Sequence, residues 1–168
     1  DSQGNNGVIY PGLAQRMSAG RGILHSEKND SWRLTGTPEH CDPVHFIQMW
    51  VLPDTPGINP GYQQLDINDQ LDSTGLAVVA SGLAEHSHTT AIHIAQSRAG
   101  LLAGRLAPGE RQGLPTAPRL HLFVAVGAVE LESGERLEAG DSARMSESGG
   151  IAVTAGSAGA EILVWQMH

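Results

Sequence analysis

Cysteine is almost absent: Cys41 stands alone among 168 residues. No disulfide can form within the chain, which points to a reducing compartment and a cytoplasmic location. Basic residues are scarce, 10 Lys and Arg against 18 Asp and Glu, for a formal net charge of −8. Such an acidic chain lacks the cationic footprint that phosphate backbones require, so no nucleic-acid partner is expected. Long apolar runs are missing, which excludes a membrane-spanning helix. Long helical periods with caps are missing too, so helices should be few and short. What is abundant is glycine, 21 residues, with nine prolines. Frequent turns between short apolar runs favour an all-β architecture. A hydrophobic content of 40% with 17% charge suits a packed protein and argues against disorder.

The runs can be placed. Residues 7–10 and 14–19 are strand candidates, separated by Pro11-Gly12. Residues 28–43 are polar and irregular. Residues 45–52, HFIQMWVL, form the best strand candidate of the first third. Phe46, Gln48 and Trp50 share one face and Ile47, Met49 and Val51 the other, which predicts a strand buried on two sides. The Pro- and Gly-rich residues 53–61 then form a linker. Beyond it, short runs at 76–80, 91–94, 100–106, 120–126, 128–131, 142–145, 151–154 and 161–166 make about eight strands, the number a closed jelly roll uses.

The segment PGLAQRMSAGRGILHSE, residues 11–27, closes on His25-Ser26-Glu27. Residues i and i+2 of a strand point to one face, so a single strand could aim this imidazole and carboxylate into a barrel as neighbouring metal ligands. The pair suits iron, manganese or zinc. On spacing alone the plain alternative stands beside it: a polar strand end whose carboxylate meets solvent or a nearby arginine such as Arg21. His86-Ser87-His88 has ligand-like spacing, with His93 close behind, but residues 85–90 look like a polar loop that would hold ligands poorly. Adventitious zinc or nickel at His86 and His88 is the most this pair suggests. His121 stands alone on a strand, and Cys41 has no paired base in sequence.

Further on, AVELESGERLEAGDSARM runs strand, Gly turn, strand, Gly-Asp turn, strand. Taken with residues 1–29, with HFIQMWVLP, with GINPGYQQ and with AIHIAQSRAGLLAGRLAPGER, it resembles the pirin-like proteins, which are two-barrel cupins. The resemblance implies a cupin jelly roll, with residues 1–58 as the rear half of a metal-binding first barrel and residues 59–168 as a whole second barrel. That family holds one metal, usually iron, with three histidines and one glutamate. His25 and Glu27 match its His-x-Glu pair. The His-x-His pair has no counterpart before them in this sequence, so the resemblance implies a truncated first barrel, and the opening DSQGNNG looks like a hairpin turn rather than a natural start. The second barrel carries GLPTAPRL where ligands would lie and is expected to be metal-free.

For function, the resemblance implies iron-dependent quercetin 2,3-dioxygenases. Fe(II) or another divalent metal binds a flavonol in them, Glu27 being ligand and candidate base, and this chain is expected to be inactive. The alternative is a non-catalytic regulatory module acting through a protein partner. A cupin acting on sugars or small acids is a third reading. Half a barrel exposes edges and an apolar interior, so it should either pack against the second barrel or be covered in a homodimer.

Overall fold

Strand-forming alternation dominates the computed structural model, which describes residues 1–73 and 75–168. The strands are β1 (Leu13–Ser18), β2 (Gly61–Asp66), β3 (Ala77–Ser81), β4 (Ile92–His93), β5 (Ala99–Leu106), β6 (Arg111–Gly113), β7 (Ala117–Leu131), β8 (Arg136–Glu138), β9 (Ser142–Ser148) and β10 (Ala152–Met167). The helices are single turns, α1 (Trp32–Thr35) and α2 (Asn68–Leu71). β3 to β10 make one 8-stranded sheet in the order β4-β3-β5-β10-β7-β8, with β6 on β10 and β9 on β7. It rolls around an aliphatic core that includes Leu102, Leu120, Leu122, Val124, Val129, Ile162 and Val164.

The period of two explains which residues fill that core. Along β10, Ile162 and Val164 are fully buried and Gln166 nearly so, whereas Leu163 and Trp165 face the opposite side. β7 and β10 each unite two runs that the sequence presents as separate strands. The sequence breaks at Gly127 and at residues 156–159 are bulged corners inside continuous strands. The β7–β10 register shifts between Ala155 and Ala160, and Gly127 and Gly159 take positive φ of 73° and 77°. Each strand changes neighbours there: β7 passes from β9 to β8, and β10 from β6 to β5.

The outer face of β3 and β5 carries a second apolar cluster. Ile67, just before α2, and Leu71 within it pack there with Val79, Leu101 and Ala103, and Ala14, Leu163 and Trp165 lie against them. Arg105 staples α2 to the sheet. Its guanidinium donates to Asp72 at 2.8 Å, to Glu161 at 3.2 Å and to Asn68 Oδ1 at 3.2 Å. Substituting Arg105→Ala is expected to raise amide exchange across residues 67–72 roughly fivefold, about 1 kcal/mol for a partly exposed pair. The protection of β7 and β10 should not change.

β1 and β2 form a separate antiparallel ribbon, with Leu13 opposite Asp66 and Ser18 opposite Gly61. Its Ala14 side rests on the outer cluster, and Arg16 Nη1 donates to His93 O at 3.3 Å. Through this ribbon β1 is held against the outer face of the roll. Three expectations fail. Residues 7–10 form no strand, and neither do residues 25–27. Residues 45–52 are not a strand buried on two sides: they join no strand ladder among the described residues, and Trp50 is 88% exposed. The physical reason is shared. An alternating segment becomes a strand only when another segment supplies its ladder of hydrogen bonds, and none of the described residues does so here.

Candidate functional site

His25 and Glu27 lie in a stretch without regular secondary structure after the tight turn at residues 19–22, where Gly22 N–H donates to Ala19 O at 2.8 Å. Gly20 makes that turn: φ is 53°, and a Cβ there would stand 2.1 Å from Ile58 O. Two bonds to Ser2 hold the stretch, Ser2 N–H to Leu24 O at 2.7 Å and Leu24 N–H to Ser2 Oγ at 3.1 Å. Asn29 Nδ2, just beyond it, donates to Asp42 O at 2.9 Å. Both candidate ligands are exposed, and neither side chain has a partner among the described residues. The expectation that one β-strand aims them together into a barrel is corrected: no strand forms at 25–27. Arg21 does not pair with Glu27. Its Nη2 donates to Asn59 Oδ1 at 2.6 Å.

The donor set can be tested against a metal. Closed sites use about four protein ligands and open catalytic ones about three. This stretch offers one imidazole and one carboxylate. Among the described residues no three of His, Cys, Asp and Glu converge where they could hold an ion. The residues present therefore do not by themselves fit the three-histidine, one-glutamate site that the resemblance implies.

The remaining histidines have other surroundings. His86 ends a short 3-10 turn and lies with Nδ1 3.0 Å from the buried Ser81 Oγ, while Nε2 is 3.8 Å from Glu85. His88 and His93 are exposed. His121 stands opposite Trp165 on β7. Cys41 is exposed in the irregular loop, where His40 and Asp42 pair at 3.0 Å. The inner face of the second barrel is lined with Leu120, Leu122, Val124, Ile162 and Val164, each at most 1% exposed.

One polar pair had no signal in the sequence. Asp66, at the end of β2, accepts from Asn68 N–H at 2.9 Å, which holds its carboxyl below the usual 3.8. Its hydrogen bond with Tyr10 raises the phenol above 10.0. These partners lie 56 positions apart, so only the ribbon brings them together. Asp66 is favoured as carboxylate and Tyr10 as phenol. The Asp66 contribution is therefore present above the unfolded carboxyl pKa and lost as pH falls through the lower folded one. The Tyr10 contribution is present below 10.0 and lost as pH rises through the raised value. Tyrosinate absorbance, read as the difference from Tyr10→Phe, is expected to place the Tyr10 midpoint above 10.0 and to return it to the ordinary value in Asp66→Asn.

The family described as Pirin matches residues 1–51, and the family described as Quercetinase C-terminal cupin domain matches residues 78–167. A putative quercetin 2,3-dioxygenase of Mycobacterium tuberculosis is 49% identical over 168 residues, which are 100% of this chain and 64% of that protein. The chain thus spans 64% of the length of this curated relative. Among solved structures, YhhW from Escherichia coli aligns with a TM-score of 0.60 at 21% identity, covering 71% of this chain and 48% of YhhW. The bacterial pirin YhhW in complex with nickel(II) aligns with a TM-score of 0.58 at 21% identity, covering 70% of this chain and 48% of that one. These structures bear out the cupin jelly roll anticipated from the sequence. By its two matching segments, and by a roll that 90 consecutive residues, 78–167, share with a pirin-type cupin domain, the chain belongs to the pirin-like cupins.

Proposed function

We propose that residues 1–168 supply part of a metal-centred site of the quercetin 2,3-dioxygenase type, with His25 and Glu27 as two of its metal ligands, and that on their own they do not catalyse. One observation carries this reading. The His25-Ser26-Glu27 pair lies within the segment matched by the Pirin family, and both side chains are exposed and uncommitted. An imidazole beside a carboxylate suits iron or another divalent first-row cation. The name of the mycobacterial relative and the nickel complex of YhhW support a divalent metal and a flavonol-like aromatic substrate. Glu27 is the group we assign to accept a proton from the flavonol hydroxyl, since a carboxylate within reach of an acidic phenol can act as general base. The two donors of this chain fall short of a catalytic set, so no further step is drawn. The single cysteine supports a cytoplasmic location as part of this reading.

The test uses nickel(II) and the chain as it stands. In a titration followed by NMR, the His25 imidazole resonances are expected to broaden at weak, sub-stoichiometric occupancy, and His25→Ala removes that binding. With Fe(II) added, the chain is expected to consume no flavonol. Metal held tightly at one per chain and unaffected by His25→Ala would overturn the assignment, and measurable flavonol cleavage would overturn the inactivity.

A second reading is favoured by the shortage of donors and by the aliphatic interior of the second barrel. On that reading the chain is a non-catalytic module that regulates a protein partner. Partner binding that survives both His25→Ala and chelation would select it.

A further inference from the structure

Among the described residues the buried polar side chains are Ser81 and Gln166, 1% and 4% exposed. They flank one glycine. Gln166 of β10 is registered against Gly100 of β5, and Gly100 against Ser81 of β3. The 3-10 turn Ala84–His86 lays an imidazole over that gap. A Cβ on Gly100 would stand 2.8 Å from Ser81 Oγ and 3.0 Å from His86 Nδ1. Buried polar groups in an aliphatic roll must be hydrogen-bonded, and the turn supplies partners to both.

The neighbours fix the protons. Ser81 Oγ accepts from Leu83 N–H at 3.1 Å. Its own proton can go to His86 Nδ1 at 3.0 Å or to Ala99 O at 3.4 Å, and Ala99 O already accepts from Gly82 N–H. The hydroxyl therefore serves Nδ1, and neutral His86 carries its proton on Nε2. That N–H faces Glu85 Oε1 at 3.8 Å, beyond hydrogen-bond distance. Gln166 Nε2 does reach the same oxygen, at 2.8 Å, and donates its other hydrogen to His168 Nε2 at 3.1 Å. Two donors thus converge on one carboxylate, which satisfies only one of them. The Glu85 side chain is 56% exposed and can turn out to water, whereas that of His86 is 14% exposed and stays. Ser81, His86 and Glu85 follow the order of a hydrolytic relay, but a serine this buried, already accepting a backbone N–H, offers a substrate nothing to react with. Two N–H donors side by side match the two oxygens of a carboxylate. No Arg or Lys among the described residues pairs with Glu85, and the net charge of −8 disfavours a phosphate dianion. We propose that Gln166 Nε2 and His86 Nε2 form a binding site for the carboxylate of a small organic acid, which Glu85 fills from within and the ligand enters by displacing it.

The probe is acetate, titrated into the chain at constant ionic strength and followed by NMR of the His86 ring and the Gln166 side-chain amide. Both signals are expected to move saturably with acetate and not with chloride. Glu85→Ala is expected to bind acetate about tenfold or more tightly, because the site is then free at all times rather than only while Glu85 is turned out. In the Glu85→Ala background, Gln166→Leu is expected to remove saturable binding, its side chain joining the aliphatic lining. His86→Phe alters a ring at the surface of the roll and is expected to weaken acetate about tenfold or more, since one of two donors is lost. No saturable shift in Glu85→Ala, equal affinity with and without Glu85, the same response to chloride, or binding that survives His86→Phe would each overturn the proposal. His25 and Glu27 take no part in these measurements, so the metal assignment stands or falls separately.

Discussion

Gly127→Ala is expected to abolish or severely weaken the cooperative unfolding of the C-terminal roll. Gly127 has a φ of 73°, and a Cβ built on it would stand 2.1 Å from Gly159 O and 3.0 Å from Gly159 C. The left-handed conformation alone costs an alanine about 1–2 kcal/mol. The clash adds to this, because the obstacle is backbone. Gly127 is registered against Ala160 in the β7–β10 ladder, so separating the two corners means breaking that pairing. A total of at least about 3 kcal/mol is expected, a large part of the stability of a domain this size. Gly134→Ala is the control. Its φ is 85°, yet nothing lies within 4 Å of the added carbon, so only the conformational cost should appear. Urea melts of the two variants separate these contributions. Equal losses would show that the corner is not held by the close approach of Gly127 to Gly159.

Leu122→Ala is the second large effect. Leu122 is fully buried in β7 and sits opposite Val164 on one side and Ala143 on the other. Its removal leaves a cavity that the strands on either side cannot close, for an expected loss of about 3 kcal/mol and a fall in Tm of roughly 10 °C. Leu122→His should cost more, because a buried imidazole there has only aliphatic neighbours to meet it. This variant also tests the character of the second barrel. Adding nickel(II) is expected to leave its Tm unchanged. Strong stabilisation by the metal would show that the interior can assemble a ligand set, contrary to its aliphatic lining.

How far the chain could be read before folding differs between its two parts. In the C-terminal part, alternation and turn residues located β3, β4, β5, β7, β9 and β10, because each of those strands finds its neighbours within the same segment of chain, whereas β2, which pairs with β1, was missed. The other errors there were ones of division. Gly127 and residues 156–159 look like turns in sequence, and only the register shift shows that they are corners inside β7 and β10. In the N-terminal part the pattern misled. HFIQMWVL has the composition of a doubly buried strand, yet residues 45–52 lie open. His25 and Glu27 have ligand spacing, yet no ladder holds them on one face. The Arg105 staple and the Tyr10–Asp66 bond gave no local sign at all.

By itself the amino-acid order decided local matters: where turns fall, which residues alternate, that aliphatic side chains fill a β-roll, and that an imidazole and a carboxylate stand two positions apart. Tertiary structure alone decided which alternating segments acquire partners, which face of each turns inward, and which distant polar groups meet. The reason is that a side chain's period is set by its own backbone, whereas a strand's hydrogen bonds and its burial are supplied by another stretch of chain.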